Sequence, residues 1–279
     1  MKMKKLLVLA LALVLMMSAV ACGGTKYYGK YNTIADGKLT VATSPDFAPY
    51  EFYAIDENGE PQLAGFDPAL AAYIADYLGL ELEIIPMDFD GVLAELTNGA
   101  VDLGMAGLSP DPEREGAMDF SDIYYFGGQS FVVTAASAGK FTDLASANNP
   151  DLAIGAQTGS IQYDLAMEYT PDAEPIALTK VTDIVAELVG GKLDGAFIET
   201  VVAETYAKSY PELQILCAVP YDQEGSAAGV RKGNDALLKG VNEAIAAALA
   251  DGSMADFVAK ANELSTGEKY EGLLENYGK

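Results

Sequence analysis

The sequence predicts an α/β protein built as two lobes, and three observations carry that expectation. From Leu39 onward, apolar runs of strand length alternate with stretches of helical period, the rhythm of a parallel sheet covered by helices. A helix-end-to-strand pattern occurs twice, as Ala94-Glu95-Leu96-Thr97-Asn98-Gly99-Ala100-Val101-Asp102 and as Ala186-Glu187-Leu188-Val189-Gly190-Gly191-Lys192-Leu193-Asp194. Between the two copies the composition turns small and polar at Ala135-Ala136-Ser137-Ala138-Gly139, which marks a crossing between lobes, and the chain crosses back near Tyr221.

In order, Leu39 to Thr43 reads as a buried strand, and the following loop holds Phe47 in an extended segment between Pro45 and Pro49. Glu51 to Gly65 alternates as a hairpin turning at Asn58-Gly59. Gly65-Phe66-Asp67-Pro68 opens a helix with Asp67 as cap and Pro68 at its first position; Leu70, Ile74, Tyr77 and Leu78 follow at helical spacing and Gly79 closes it. Leu82 to Pro86 is a strand, Gly91 to Asn98 a helix and Gln129 to Thr134 a strand. The second unit begins near Phe141. It predicts strands at Leu152 to Ala156, Ile176 to Leu178 and Asp194 to Ile198, with helices at Ile161 to Tyr169, Thr182 to Val189 and Thr200 to Ser209. A strand at Ala227 to Arg231 and helices at Asp235 to Ala250 and Met254 to Leu264 return to the first unit. The lobes are therefore 38–133 with 222–279, and 134–221, with hinges near Val133-Thr134 and Val219 to Tyr221.

The run from Val101 to Arg114 carries the chemistry. It reads as a buried strand, a polar turn and the first turn of a helix, with Ser109 and Asp111 as cap-type residues before Pro112. Ala106 and Gly107 leave the backbone bare to a ligand, Ser109 adds a hydroxyl, and Arg114 adds a planar fork of donors suited to a carboxylate. The second copy of the repeat ends instead at Ile198-Glu199. One lobe thus offers a cation for a carboxylate and the other an acid for an ammonium, the complement of an amino-acid zwitterion. The turn Gln157-Thr158-Gly159-Ser160 opens a helix whose free N–H groups suit an anion.

Composition narrows the field. The 279 residues contain no histidine, which removes histidine-based triads and histidine metal sites, and the acidic pairs lack EF-hand spacing. Formal net charge is −24, becoming −27 if Lys2, Lys4 and Lys5 leave with the leader, so the surface repels nucleic acid. Met1 to Lys5 is basic, Leu6 to Ala21 is apolar but short for a membrane span, and Ala19-Val20-Ala21-Cys22-Gly23-Gly24 resembles a bacterial lipoprotein signal. That resemblance implies a leader over 1–21, a lipid on Cys22 and a membrane held through it, with 22–37 a flexible tether. Cys217, alone in an apolar run, reads as a buried core thiol.

From Lys38 to about Leu264 the chain resembles the extracytoplasmic amino-acid-binding proteins of ABC importers, solute-binding protein family 3. The residues that carry the likeness are Asp46-Phe47-Ala48-Pro49-Tyr50-Glu51-Phe52, Gly65-Phe66-Asp67, Met87-Asp88-Phe89, Ala106-Gly107-Leu108-Ser109 with Pro112-Glu113-Arg114, Asp119-Phe120-Ser121-Asp122, Gln157-Thr158-Gly159 and Val230-Arg231-Lys232-Gly233. It implies the two-lobed type II periplasmic-binding-protein fold, with two hinge strands closing over a ligand in the cleft. It also implies roles. Arg114 would clamp the α-carboxylate with Ser109 and backbone groups at Gly107 and Gly159-Ser160. The ammonium would meet the Ala106 carbonyl and Glu199. Phe47 and Phe89 would sandwich the side chain, and Gln157 would reach its polar end. The expectation is a monomer that delivers a polar L-amino acid to an ABC permease, with no cofactor. The alternatives are a cyclohexadienyl dehydratase-like enzyme with Glu199 as general acid, or a receptor that senses without transport. The family usually has aspartate at the position of Glu199, and members binding basic side chains often have it at Ser44, so the ligand's side chain stays open.

Overall fold

The computed structural model describes residues 26–222 and 225–265; the expected leader and Cys22 lie outside them. In chain order the strands are β1 (Lys38–Thr43), β2 (Asp46–Phe47), β3 (Glu51–Ile55), β4 (Pro61–Ala64), β5 (Glu81–Pro86), β6 (Leu103–Gly104), β7 (Met118–Phe120), β8 (Gln129–Thr134), β9 (Ile154–Gln157), β10 (Ile176–Leu178), β11 (Gly195–Glu199), β12 (Leu213–Val219) and β13 (Gly229–Arg231). The helices are α1 (Phe66–Leu78), α2 (Phe89–Thr97), α3 (Ile161–Tyr169), α4 (Val181–Val189), α5 (Thr200–Ser209), α6 (Asp235–Asp251) and α7 (Ser253–Leu264).

Two five-stranded sheets result, one per lobe. The first has the order β5-β1-β6-β13-β7 and the second β10-β9-β11-β8-β12. In the first, β1 runs parallel to β5 and β6, and the late strand β13 enters antiparallel between β6 and β7, so this lobe is completed by chain from after the crossing. Its core packs Leu39, Val41, Leu70 and Ile74 against α6, and on the other face Val92, Leu96, Leu108 and Met118. The second lobe is centred on Phe131, Phe141 and Phe197, whose rings meet edge to face at 5.2–5.3 Å. A small sheet, β2-β3-β4, carries the hairpin predicted at Asn58-Gly59.

The repeat now has a physical meaning. Asp102 is fully buried, and its carboxylate accepts from Thr40 N–H, the Thr40 hydroxyl and Ile34 N–H. Asp194 accepts from Ala153 N–H in the second lobe. In each lobe the aspartate after the helix ties one strand to its neighbour.

Several expectations are corrected. Gln129–Thr134 belongs to the second sheet and not the first lobe: every residue in it is buried, and it pairs with β11 on one side and β12 on the other. A strand buried along its whole length needs hydrogen-bond partners at both edges, which an interior place in the sheet supplies, and helices over both faces. The run Ala135–Gly139 turns within the second lobe, where the Ser137 hydroxyl donates to the Asp194 carbonyl. The crossing segments instead meet at Tyr125 and Ser226, joined by Tyr124 N–H to the Ser226 carbonyl (3.0 Å) and Ser226 N–H to the Tyr125 carbonyl (2.7 Å).

The expected tether is docked over its described part. Arg231 donates to the Asn32 carbonyl and its guanidinium lies 3.9 Å from the Tyr27 ring centre, while Asn234 donates to the Tyr31 carbonyl. The buried Asp102 and Arg231 need polar partners, and this segment supplies them. The turn at Pro112 closes with Arg114 and Glu115 N–H to the Asp111 carbonyl and again with Ala117 and Met118 N–H to the Arg114 carbonyl, and then enters strand β7 instead of continuing as a helix. Cys217 lies half-buried on edge strand β12, because the apolar run there covers one face only.

Candidate functional site

Of the expected ligand residues, Arg114 and Glu199 make contacts from one lobe to the other. Phe47, at the end of β2, lies against Gly107 in the bend after β6. Gly107 has φ +58°, and a Cβ there would stand 2.7 Å from the Phe47 ring, so only glycine fits. Its N–H, expected to face a carboxylate, donates instead to Asp67 Oδ2 at 3.0 Å. Asp67 was expected to cap α1; Gly65 takes that position, and the buried aspartate uses its other oxygen to accept from the Tyr124 hydroxyl at 2.7 Å. Ala106 and Ser109 are buried beside this bend.

Arg114 extends toward the second lobe from the turns between Ser109 and β7. Its guanidinium lies 5.9 Å from the centre of the Phe89 ring and donates to the Gly159 carbonyl of the other lobe at 3.0 Å. Burial lowers its pKa, and the charges of Asp111 and Asp164 oppose that; arginine remains a cation. The Tyr221 hydroxyl stands near Ser109 and Arg114, and burial pushes it up to about 12.

On the facing wall, a Cβ at Gly159 would reach the side chains of Leu93 and Asp90 from α2 at 3.8–3.9 Å. Ser160 is the cap of α3: its hydroxyl oxygen accepts from Tyr163 N–H at 3.2 Å and donates to the Gln157 carbonyl at 2.8 Å. The Gln157 amide donates to the Thr179 carbonyl at 3.2 Å. Glu199, at the end of β11, caps α5 by accepting from Val202 N–H at 2.9 Å, and its other oxygen lies 3.4 Å from the Tyr50 hydroxyl of the first lobe. The sequence reading expects an ionised acid here. Burial pushes Glu199 up to about 7, with backbone N–H groups at Val202, Val201 and Gly128 pulling it down, so the carboxyl titrates near neutrality.

Two sets of contacts result: Gly107, Phe47, Tyr50 and Glu199 form one, and Phe89, Arg114 and Gly159 form the other. Gln157 and Ser160 bond to each other and commit these polar atoms to the local turn. Sequence reasoning missed Tyr50, Asp67 and Glu51 as site residues. Glu51 is fully buried, with one oxygen 3.4 Å from the Ser44 hydroxyl and the other without a hydrogen-bond partner among the described residues. Burial, then the charges of Asp67 and Asp46, raises its pKa well above the usual carboxylate range. An acid between two aromatic residues of an apolar hairpin was the available signal. At the cleft mouth, a cavity of about 460 Å³ is lined by Asp111, Glu113, Asp164, Glu168 and Tyr221, an acidic rim that attracts cations. Among the described residues no cluster of acids, cysteines or histidines could hold a metal ion, and no helix is long and apolar enough to cross a membrane.

Comparison with known proteins agrees with this geometry. Residues 39–262 match the family model of bacterial extracellular solute-binding proteins, family 3. The arginine-binding extracellular protein ArtP of Bacillus subtilis is 32% identical over 239 residues, covering 84% of this chain and 88% of that protein. The crystal structure of the amino acid ABC transporter substrate-binding protein AbpA from Streptococcus pneumoniae, bound to L-arginine, superposes with a TM-score of 0.79 at 30% identity, covering 83% of this chain and 97% of that one. A cyclohexadienyl dehydratase of Pseudomonas aeruginosa is 26% identical over 68% of this chain and 69% of its own length. The similarity to these two binding proteins is both higher and more extensive than the similarity to this enzyme.

Proposed function

Because the chain belongs to the bacterial extracellular solute-binding proteins, family 3, we propose that it captures a polar L-amino acid, with L-arginine the first candidate, and delivers it to the permease of an ABC transporter while held at the outer face of the membrane by a lipid on Cys22. The observation that supports this reading is that Arg114 of the first lobe and Glu199 of the second each bond across to the opposite lobe, a cation available for the α-carboxylate and an acid for the α-ammonium. In a water-poor cleft these charge-assisted bonds are stronger than on a surface. Phe47 and Phe89 supply apolar and cation–π faces for the side chain.

A cationic side chain is favoured by two features. Ser44 lacks the acid that members binding basic side chains often carry, but Glu51 brings a carboxyl beside its hydroxyl. The acidic rim draws cations toward the cleft. A cation entering beside Glu51 would oppose the burial that raises its pKa. The arginine named for ArtP and AbpA points the same way.

The test is a thermal-shift screen against the twenty amino acids with calorimetric confirmation, since a ligand that binds only the folded state raises the melting temperature. The expected result is a shift with L-arginine and smaller shifts with lysine and neutral polar amino acids. A flat screen on protein refolded to remove carried-over ligand would count against the amino-acid reading. Labelling of Cys22 by palmitate in cells, lost in Cys22→Ser, tests the anchor, and loss of arginine uptake on deletion separates transport from sensing.

A further inference from the structure

We propose that Asp46 is a positioning residue for ligand capture: from the first lobe it caps helix α4 of the second, fixing Phe47 in the closed cleft and slowing ligand escape. The first N–H groups of a helix have no partner inside the helix and need one from elsewhere. Among the other helices of the second lobe, α3 is capped by Ser160 and α5 by Glu199, each through its own side chain. At α4 the cap position is Lys180, which has no side-chain acceptor. The missing acceptor comes from the opposite lobe, where Asp46 Oδ2 accepts from Val181 N–H at 2.6 Å.

A second contact holds the same residue. The Asp46 backbone carbonyl accepts from the Tyr206 hydroxyl of α5 at 2.9 Å. Both polar ends of Asp46 are therefore tied to the second lobe, and the next residue is the aromatic wall Phe47. At the same edge Lys180 pairs with Asp88, the residue before α2, at 3.6 Å, so two helix starts face each other across the seam. Opening the lobes would return Asp46 and Val181 N–H to water, and closing them makes a charge-assisted bond. The bond lies outside the groups expected to touch ligand, so it acts on retention of every ligand alike and not on selectivity.

The inference rests on reading the cleft as an amino-acid site, and the experiment separates the two. Affinity and dissociation rate for L-arginine, L-lysine and L-glutamine would be measured on wild type, Asp46→Ala, Asp46→Asn and Tyr206→Phe. Asp46→Ala should weaken every probe that wild type binds by a common factor of about ten or more, mainly through faster dissociation. Asp46→Asn, which keeps an acceptor oxygen, should recover part of the loss. Tyr206→Phe should fall between it and Asp46→Ala. Hydrogen exchange at the Val181 amide reads the cap directly whenever the lobes are closed, and with saturating L-arginine it should accelerate in Asp46→Ala. Unchanged dissociation in Asp46→Ala, a loss confined to one probe, or unchanged exchange at Val181 would each overturn the proposal. Wild type that binds none of the probes while Val181 exchange still responds to Asp46→Ala would overturn the amino-acid reading and leave the cap standing.

Discussion

At the scale of single residues, the two charges across the seam differ in what they risk. Arg114 already has a carbonyl partner and an aromatic face, so its loss should leave the fold intact while removing the carboxylate clamp. Arg114→Ala is expected to weaken L-arginine binding by about 100-fold in calorimetry, with a melting temperature close to wild type. Glu199 is a titratable acceptor. Because burial pushes it up to about 7, binding of a zwitterion should strengthen as pH rises through that value and the carboxylate forms. Glu199→Gln should flatten this pH profile and weaken arginine while sparing 5-guanidinopentanoate, which has the carboxylate but no α-amine. The acid was legible in the sequence because it ends the second copy of a repeat, and the arginine because it follows the polar turn after the first copy. Tyr50 and Glu51 were not, since an aromatic or acidic residue in a hairpin does not reveal which way it faces until the strand register is known.

At the scale of elements, helix and strand periods placed most segments within a residue or two, and α3, β10 and α5 coincide with their predicted spans. What the pattern could not reveal was membership. β8 has the apolar content of an interior strand, but which sheet it enters depends on partners more than sixty residues away. The docked segment before β1 was unreadable for a related reason: its partners Asp102 and Arg231 are distant in sequence and its own period is irregular. This predicts that Asp102→Ala is far more damaging than a surface change. It strips acceptors from Thr40 and Ile34, and should cost about 2–4 kcal/mol in a urea melt and loosen residues 27–37 to proteolysis.

At the scale of the whole molecule, buried acids set the pH response. Burial pushes Asp46 and Asp67 up to about 6 and Glu199 to about 7, and raises Glu51 well above the ordinary range. An acid whose pKa is higher folded than unfolded binds its proton more tightly in the native state, so its contribution is fully present below the unfolded value and is lost as pH rises through the folded one. The net charge of −24 works in the same direction, because repulsion grows as carboxyls ionise. The ligand-free protein should therefore melt highest near pH 5 and progressively lower toward about pH 8. Glu51→Gln should raise the melting temperature at the alkaline end and flatten the slope. The docking of residues 27–37 has a mechanical outcome as well. If Cys22 is lipid-held, the five residues from there to Tyr27, which lies on Arg231, can span at most about 18 Å. The first lobe is then moored close to the bilayer, and the second lobe swings when a ligand is taken up. A permease alongside would meet a stationary half and a moving half, and could register occupancy from the travel of one against the other.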